Sequence, residues 1–193
     1  KTNKQWIFII LLVIIAMIIF IKWREYYYKK LLHTDTLTQI PNKQYFMKTA
    51  EKILDNNSDK SYLLTSLDAR NFKLINERFG HIVGDQTLMN IAKNIKSKFH
   101  KNGLYARSQS DSFLILVEDT SQNRELLKSL VDLDISIHNT TNYKVPLKIG
   151  VCPILRYNPA LSLSLYIDRA NIAKKYTSVR NTNYICYFTD DMN

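Results

Sequence analysis

Cysteine is scarce. The 193-residue chain carries two, Cys152 and Cys186, with no CxxC spacing between them. That excludes a disulfide-dense secreted scaffold and fits a reducing compartment with buried thiols, a disulfide between the two being the less favoured alternative. No set of His and Cys has the spacing of zinc ligands, and His33, His81, His100 and His138 lie far apart. No Ser-His-Asp constellation is evident. Nor is there a dense basic stripe, although the formal net charge is +10. A nucleic-acid module clusters its lysines and arginines within a motif, so no nucleic-acid partner is expected. A membrane surface or a nucleotide is the favoured anionic partner. There is no internal repeat and no low-complexity tract. Aromatic content of 11%, with 12 Tyr and 8 Phe, marks a folding sequence rather than a disordered one.

One long apolar run is present, WIFIILLVIIAMIIFIKW, from Trp6 to Trp23. Its uninterrupted part, Trp6 to Ile21, is a little short of the ~20 residues that span a bilayer. Trp6 and Trp23 stand where interfacial anchors belong, and Lys22 can snorkel. No small-residue cleavage site follows, so a transmembrane helix is expected over 6–23, not a signal peptide. Lys22, Arg24, Lys29 and Lys30 outweigh Lys1 and Lys4, which places the C-terminal side in the cytoplasm of a single-pass protein of the cytoplasmic membrane. The expected organisation is a flank over 1–5, the transmembrane helix, a helical linker over 24–34 and one domain over 35–193. The chain does not begin with Met and is expected to be a fragment or a processed form.

Within that domain, periodicity predicts a helix over NKQYFMKTAEKILDN, with Asn42 as its N-cap. A buried strand follows in SYLLTSLDA, ending near Asp68. NFKLINERFG reads as a short helix stopped by Gly80, and DQTLMNIAKNIKSKF as a longer one with Leu88, Ile91, Ala92 and Ile95 on one face. Leu104 to Arg107 and Phe113 to Val117 are the arms of a hairpin. NRELLKSLVDLDIS is expected to be helical, YKVPLKIGVCPI a strand, LSLSLYIDRANIAKKY a helix and YICYF a closing strand. The order suggests an α+β sandwich of βαββαβ type, helices packed on a mostly antiparallel sheet.

Three stretches then fall in order. DTLTQIPNKQYF, Asp35 to Phe46, resembles the D-x-L-T-G-L-x-N-R opening of the GGDEF family, the diguanylate cyclase domains. LDARNFKLINERFGHIVGDQTL, Leu67 to Leu88, is similar to the family's D-x-D-x-F-K-x-x-N-D-x-x-G-H-x-x-G-D-x-x-L, with Asp68, Phe72, Lys73, Asn76, Gly80, His81, Gly84, Asp85 and Leu88 in register. ARSQSDSFLILV resembles A-R-x-G-G-D-E-F. The resemblance covers the chain from about Asp35 onward and implies the family's palm-like nucleotide-cyclase fold.

It also implies a site, and a damaged one. Gln109-Ser110-Asp111-Ser112-Phe113 stand where Gly-Gly-Asp-Glu-Phe belong, so only Asp111 and Phe113 keep the signature. The family's glycines let backbone approach GTP, and Gln109 and Ser110 put side chains there. Ser112 replaces an acid and is neither a base near neutral pH nor a strong Mg²⁺ ligand. Asp111 is left as a vestigial catalytic candidate. By the same resemblance Asp68 and Asp111 would hold Mg²⁺, the cation that neutralises developing charge in phosphoryl transfer. Arg70 replaces the second acid of the D-x-D pair, where it would weaken metal binding or meet phosphate. Asn76 and Asp85 would read guanine, and the backbone at Phe72 and Lys73 would face the phosphates of GTP. The plainer alternative makes Asp85 the N-cap of its helix. The late helix keeps Ala170 and Ala173, but its phosphate-gripping Lys and Arg have only Lys174, Lys175 and Arg180 nearby, out of step. His100 to Gly103 do not match the family's R-x-x-D product-inhibition motif.

Three readings stay open. In the first, this is a degenerate, catalytically inactive regulatory domain that binds GTP or dimerises and controls an EAL phosphodiesterase domain in cis or in trans. The ending YICYFTDDMN resembles the passage from a GGDEF into an EAL domain. In the second it is an active cyclase making cyclic di-GMP with Mg²⁺. In the third it is a protein-interaction module without nucleotide. A homodimer is expected in each.

Overall fold

Side chains that are apolar all round leave a helix no polar face, and Trp6 to Ile21 lie within one, α1 (Thr2–His33). The computed structural model describes residues 2–131, 134–137, 141–179 and 184–192. The Asn3–Tyr28 part of α1 is long and apolar enough to cross a membrane. The helix and the linker expected behind it are one unbroken element. The chain divides into two units, Lys1–Thr34 and Asp35–Asn193.

The second unit starts with α2 (Lys43–Asn56), capped by Asn42, whose side chain accepts from the Tyr45 amide at 3.0 Å. Phe46, Ala50 and Leu54 recur at helical spacing and are fully buried. Strand β1 (Tyr62–Ala69) leads to α3 (Phe72–Phe79) and α4 (His81–Phe99). Gly80 joins the two at φ +85°, a conformation that side-chain-bearing residues avoid. Helix α4 begins at His81, one turn earlier than the sequence suggests, so Asp85 is a helical residue and not an N-cap.

Strands β2 (Gly103–Gln109) and β3 (Ser112–Glu118) form the expected hairpin. Helix α5 (Ser121–Lys128) is shorter than expected. The residues predicted to continue it contain β4 (Asp134–Ile137), which pairs antiparallel with β5 (Thr141–Lys144). The stretch Asp-Ile-Ser-Ile alternates with period two, the strand period, and that outweighs the helical signal before it. The single strand expected over YKVPLKIGVCPI is likewise two, β5 and β6 (Leu147–Ile154), because Pro146 has no N–H to give a ladder. Its carbonyl accepts from the Arg70 amide at 2.9 Å instead. Helix α6 (Leu163–Val179) and β7 (Ile185–Tyr187) close the described fold. Arg180 and His138 lie outside the described residues.

The main sheet has the order β2-β3-β1-β6-β7, antiparallel except for the parallel β6–β7 pair. Its strands are apolar on both faces, as burial between helices demands. Leu63, Leu67, Phe113, Ile115, Ile149 and Val151 face a core with α3, α4 and α5. Leu64, Leu114, Leu116, Cys152 and Ile154 face the other, with α2 and α6. The α+β arrangement, helices packed on a mostly antiparallel sheet, is thus the expected one; the structure adds that helices cover both faces and that there is an extra hairpin, β4–β5. Cys152 is buried and Cys186 half-buried; the two form no disulfide, and burial pushes the Cys152 thiol up to about 11.

Candidate functional site

The polar knot between β2 and β3 is pinned by a neighbour two residues before it. Arg107 donates from Nε and Nη2 to the Ser110 carbonyl at 2.9 and 2.6 Å. Its Nη1 reaches Asp35 Oδ1 at 3.0 Å. Asp35 also accepts from the Thr38 amide at 2.8 Å and the Thr38 hydroxyl at 2.6 Å. The opening turn and the knot are therefore one clasp. Ser110 holds φ +50° and Gln39 φ +57°. Both stand where the resembled motifs have glycine, so the backbone shape survives without the residue that adopts it freely.

Burial pushes the Asp35 carboxyl up, but the Thr38 hydroxyl and amide and the Arg107 guanidinium outweigh it and hold it below the ordinary carboxylate value. A depressed carboxylate stabilises the fold above its unfolded pKa, near ~4, and that contribution is lost as pH falls through the folded value. Asp35→Ala is expected to cost about 1–2 kcal/mol near neutral pH, the lower part of the range for charged hydrogen bonds because the group is partly exposed. Thermal melts of wild type and variant should converge as the pH drops below about 4. A gap that persists at low pH would assign the loss to packing.

Beside the knot, the end of β1 and α6 enclose a cleft of about 700 Å³, its lining including Lys43, Asp68, Gln109, Asp111, Lys174 and Lys175. Asp68 is opposite Ser112 in the β1–β3 ladder, so a hydroxyl stands where a second carboxylate would flank it. Burial pushes the Asp111 carboxyl above its ordinary value; the charge of Asp68 adds to this, while its own amide, the Ser110 hydroxyl and Lys174 oppose it. Asp68 is engaged by Lys174, whose Nζ donates to Asp68 Oδ1 at 2.7 Å and to Ser66 Oγ at 2.9 Å. Ser66 in turn donates to Asn171 Oδ1 at 2.7 Å.

Helix α6 comes this close because of Gly150. A Cβ there would overlap the Ala170 carbonyl oxygen and the Lys174 amide nitrogen. Lys174 lies on the inward stripe of α6 with Ala170, Ala173 and Thr177.

The other expected residues form a separate cluster between α3 and α4. The Asn76 carboxamide and the Phe72 ring occupy the space a side chain on Gly84 would need. Asn76 Oδ1 is buried and receives no hydrogen bond among the described residues. Asp85, the next residue along α4, is exposed. Lys73 is also exposed and pairs with Glu77 at 3.7 Å. Three residues of chain connect Asp68 to Phe72, which makes the two clusters neighbours along the backbone. Arg70 is not in the cleft lining; its guanidinium lies over the Tyr184 ring, 5.8 Å from the centroid.

The expected Mg²⁺ finds a poor donor set. Among the described residues no group of three His, Cys, Asp or Glu could hold a metal ion. Of the two carboxylates in question, one already carries an ammonium. With Lys174 on Asp68, the pair as arranged does not fit a divalent cation; without the ammonium, two carboxylates beside substrate phosphates would suffice for Mg²⁺.

Sequence reasoning passed over Arg107 and Asp35, and noted Lys174 only as out of step. A signal for Lys174 was present. A lysine at i+4 from Ala170 on an otherwise apolar stripe is buried only if paired.

The model of the family described as diguanylate cyclase, GGDEF domain, matches residues 32–178. Among known proteins, the chain is 35% identical over 94 residues to signaling protein YkoW of Bacillus subtilis, covering 48% of this chain and 12% of that protein. It is 26% identical over 173 residues to cyclic di-GMP phosphodiesterase PdeR of Escherichia coli, covering 84% and 25%. With diguanylate cyclase TpbB of Pseudomonas aeruginosa it shares 27% over 141 residues, covering 72% and 31%. The chain thus spans less than a third of the length of each of these relatives. Among solved structures, the coiled coil and GGDEF domain of DgcB from Caulobacter crescentus in complex with c-di-GMP superposes with a TM-score of 0.76 at 19% identity, covering 89% of this chain and 94% of that one. Diguanylate cyclase SiaD of P. aeruginosa, in complex with its activator SiaC, gives a TM-score of 0.71 at 23% identity, covering 97% and 74%. Both likenesses speak to the fold.

Proposed function

The chain belongs to the GGDEF family of cyclic di-GMP signalling domains, and within that family we propose that it is a catalytically silent regulatory member that binds GTP without cyclising it. The observation that carries this is the ladder pairing of Asp68 with Ser112, which leaves the hairpin one acid short beside a carboxylate already engaged by lysine. Phosphoryl transfer depends on neutralising developing charge and activating the attacking hydroxyl. Loss of one such electrostatic or general-base group costs ~10²–10⁴ in rate, and several are altered together here.

Guanine recognition is assigned to Asn76 and Asp85. The Asn76 carboxamide would accept from the guanine 2-amino group once its buried Oδ1 turns out from Gly84, and the exposed Asp85 carboxylate accepts from N1 and N2. The backbone N–H groups at the start of α3, at Phe72 and Lys73, are assigned to the phosphates, as a helix N-terminus suits an anion. The Asn3–Tyr28 helix anchors the domain on the cytoplasmic face of the membrane, and two copies associate as a dimer. The regulated activity is an EAL-type phosphodiesterase in cis or in trans, a reading supported by the relatives named as phosphodiesterases. The contrary reading, a working cyclase, is favoured by Asp68 and Asp111 sharing the cleft and by the relative named as a diguanylate cyclase.

The test is calorimetry of the full chain in detergent with GTP, alongside product analysis with Mg²⁺ or Mn²⁺. Binding is expected without cyclic di-GMP. Asp85→Ala is expected to weaken it about 10- to 100-fold, the loss of charge-assisted hydrogen bonds. Cyclic di-GMP in the product would establish the cyclase. No binding at millimolar GTP would leave protein contacts as the domain's only output.

A further inference from the structure

We propose that the Lys174 ammonium is the resident cation of this cleft: it stands on Asp68 in the place of a divalent metal, so that the phosphates of a bound nucleotide meet protein cations and not a bound ion. The first support is engagement of the carboxylate. Lys174 Nζ lies 2.7 Å from Asp68 Oδ1 and 2.9 Å from Ser66 Oγ, a charge-assisted pair backed by a hydroxyl. Ser66 is fixed from behind by Asn171, at 2.7 Å, so the ammonium sits in a built polar seat at the end of β1.

The second support is that the lysine cannot easily leave. Its side chain is 11% exposed, against 29% for Asp68. Its stem shares the inward face of α6 with Ala170 and Ala173, both fully buried. Gly150 lets the α6 backbone settle onto β6 at this residue, and the Thr177 hydroxyl donates to the Lys174 carbonyl at 2.7 Å. A divalent ion arriving at Asp68 would have to share one carboxylate with an ammonium whose stem is held on the inward face of α6. Like charges at such range repel strongly in a partly buried site.

The third support is the composition of the cleft. Ser112 faces Asp68 across the ladder, leaving Asp111 as the one hairpin carboxylate, while Lys43 and Lys175 also line the space. Mg²⁺ takes one or two carboxylates beside substrate phosphates, and of the pair here Asp68 already carries the Lys174 ammonium. The lining sets three lysines, Lys43, Lys174 and Lys175, beside three aspartates, Asp68, Asp111 and Asp168, and lysines bind phosphate as point charges without a metal intermediary.

The cation assignment concerns this chain alone; only the identity of the phosphate ligand rests on the nucleotide reading. Mn²⁺ alone, with no nucleotide, therefore tests it. Free Mn²⁺ would be read by electron paramagnetic resonance during titration of the full chain in detergent. Wild type is expected to bind no Mn²⁺ that Asp68→Asn removes. Lys174→Met keeps the stem, drops the charge and is expected to gain one bound Mn²⁺, which Lys174→Met/Asp68→Asn loses again. Mn²⁺ should raise the melting temperature of the Lys174→Met protein and leave wild type unmoved. Asp68-dependent Mn²⁺ binding by wild type overturns the proposal. So does a folded Lys174→Met protein that binds no more Mn²⁺ than wild type. If Lys174→Met fails to fold, the wild-type and Asp68→Asn comparison still decides. A failure to bind GTP would sink the nucleotide reading and leave the Mn²⁺ result standing.

Discussion

Gly150→Ala is expected to lower the melting temperature of the Asp35–Asn193 unit by roughly 6–12 °C, a cost of about 3 kcal/mol at the upper end of core overpacking. One methyl group is enough because of what it meets. The added Cβ would overlap the Ala170 carbonyl oxygen and the Lys174 amide, which are backbone atoms of α6 and cannot swing aside as a side chain would. Either β6 bends or α6 lifts. Gly150 lies mid-strand, paired with Ser66 on one side and Cys186 on the other, so bending would strain two ladders at once. Lifting α6 separates Ala170 and Ala173 from the core and draws Lys174 off Asp68. The melt should be followed by circular dichroism, because both tryptophans, Trp6 and Trp23, lie in α1 and do not report on this unit. A melting temperature within about 2 °C of wild type would mean that α6 yields cheaply, and would remove the packing argument for where Lys174 sits.

That close approach is also where reading the sequence alone reaches its limit. The first strand was legible as a buried one: SYLLTSLDA is a short apolar run, and both parities are apolar because helices cover both faces. The Asn42 cap and the Gly80 break were legible for the same reason, since each depends on residues within a few positions. Local signals failed where two were in competition. The helical run before Val131 concealed the alternation that makes β4, and Pro146 divided a run whose hydrophobicity read as continuous. Asp85 looks like a cap because Asp usually is one near a helix start; the tight packing of Gly84 on Asn76 lets α4 begin a turn sooner. The site was harder. Motif spacing brought out Asp68 and Asp111 as partners, and the two do share a cleft. No spacing rule could bring Lys174, more than a hundred positions away, onto Asp68, because that contact depends on a missing side chain at Gly150. Arg107 carries no signal in the hairpin signature beyond its place before it, yet the shape of the knot depends on its guanidinium.

Phe113→Ala is expected to destabilise the same unit by about 3–5 kcal/mol, the range for emptying a buried phenylalanine site. Its neighbour Ser112→Ala should stay within about 0.5 kcal/mol. The contrast follows from the pleat. Successive strand residues point to opposite faces, and Phe113 points into the core with Leu67 as its ladder partner, fully buried. Ser112, half-buried and opposite Asp68, points toward the cleft. The signature thus mixes two kinds of residue: one that the fold needs and one that only chemistry needs. A chain released from catalysis is free to change the second and not the first. That is the pattern in Gln109-Ser110-Asp111-Ser112-Phe113, where the aromatic stays and the glycines and the second acid do not. Urea or thermal unfolding of the two variants side by side measures the difference directly. A large loss for Ser112→Ala would mean that the serine is structural after all, and that its presence tells nothing about lost activity. A small loss for Phe113→Ala would mean that the hairpin is held by the Arg107 clasp alone, and would make Asp35→Ala the more damaging change.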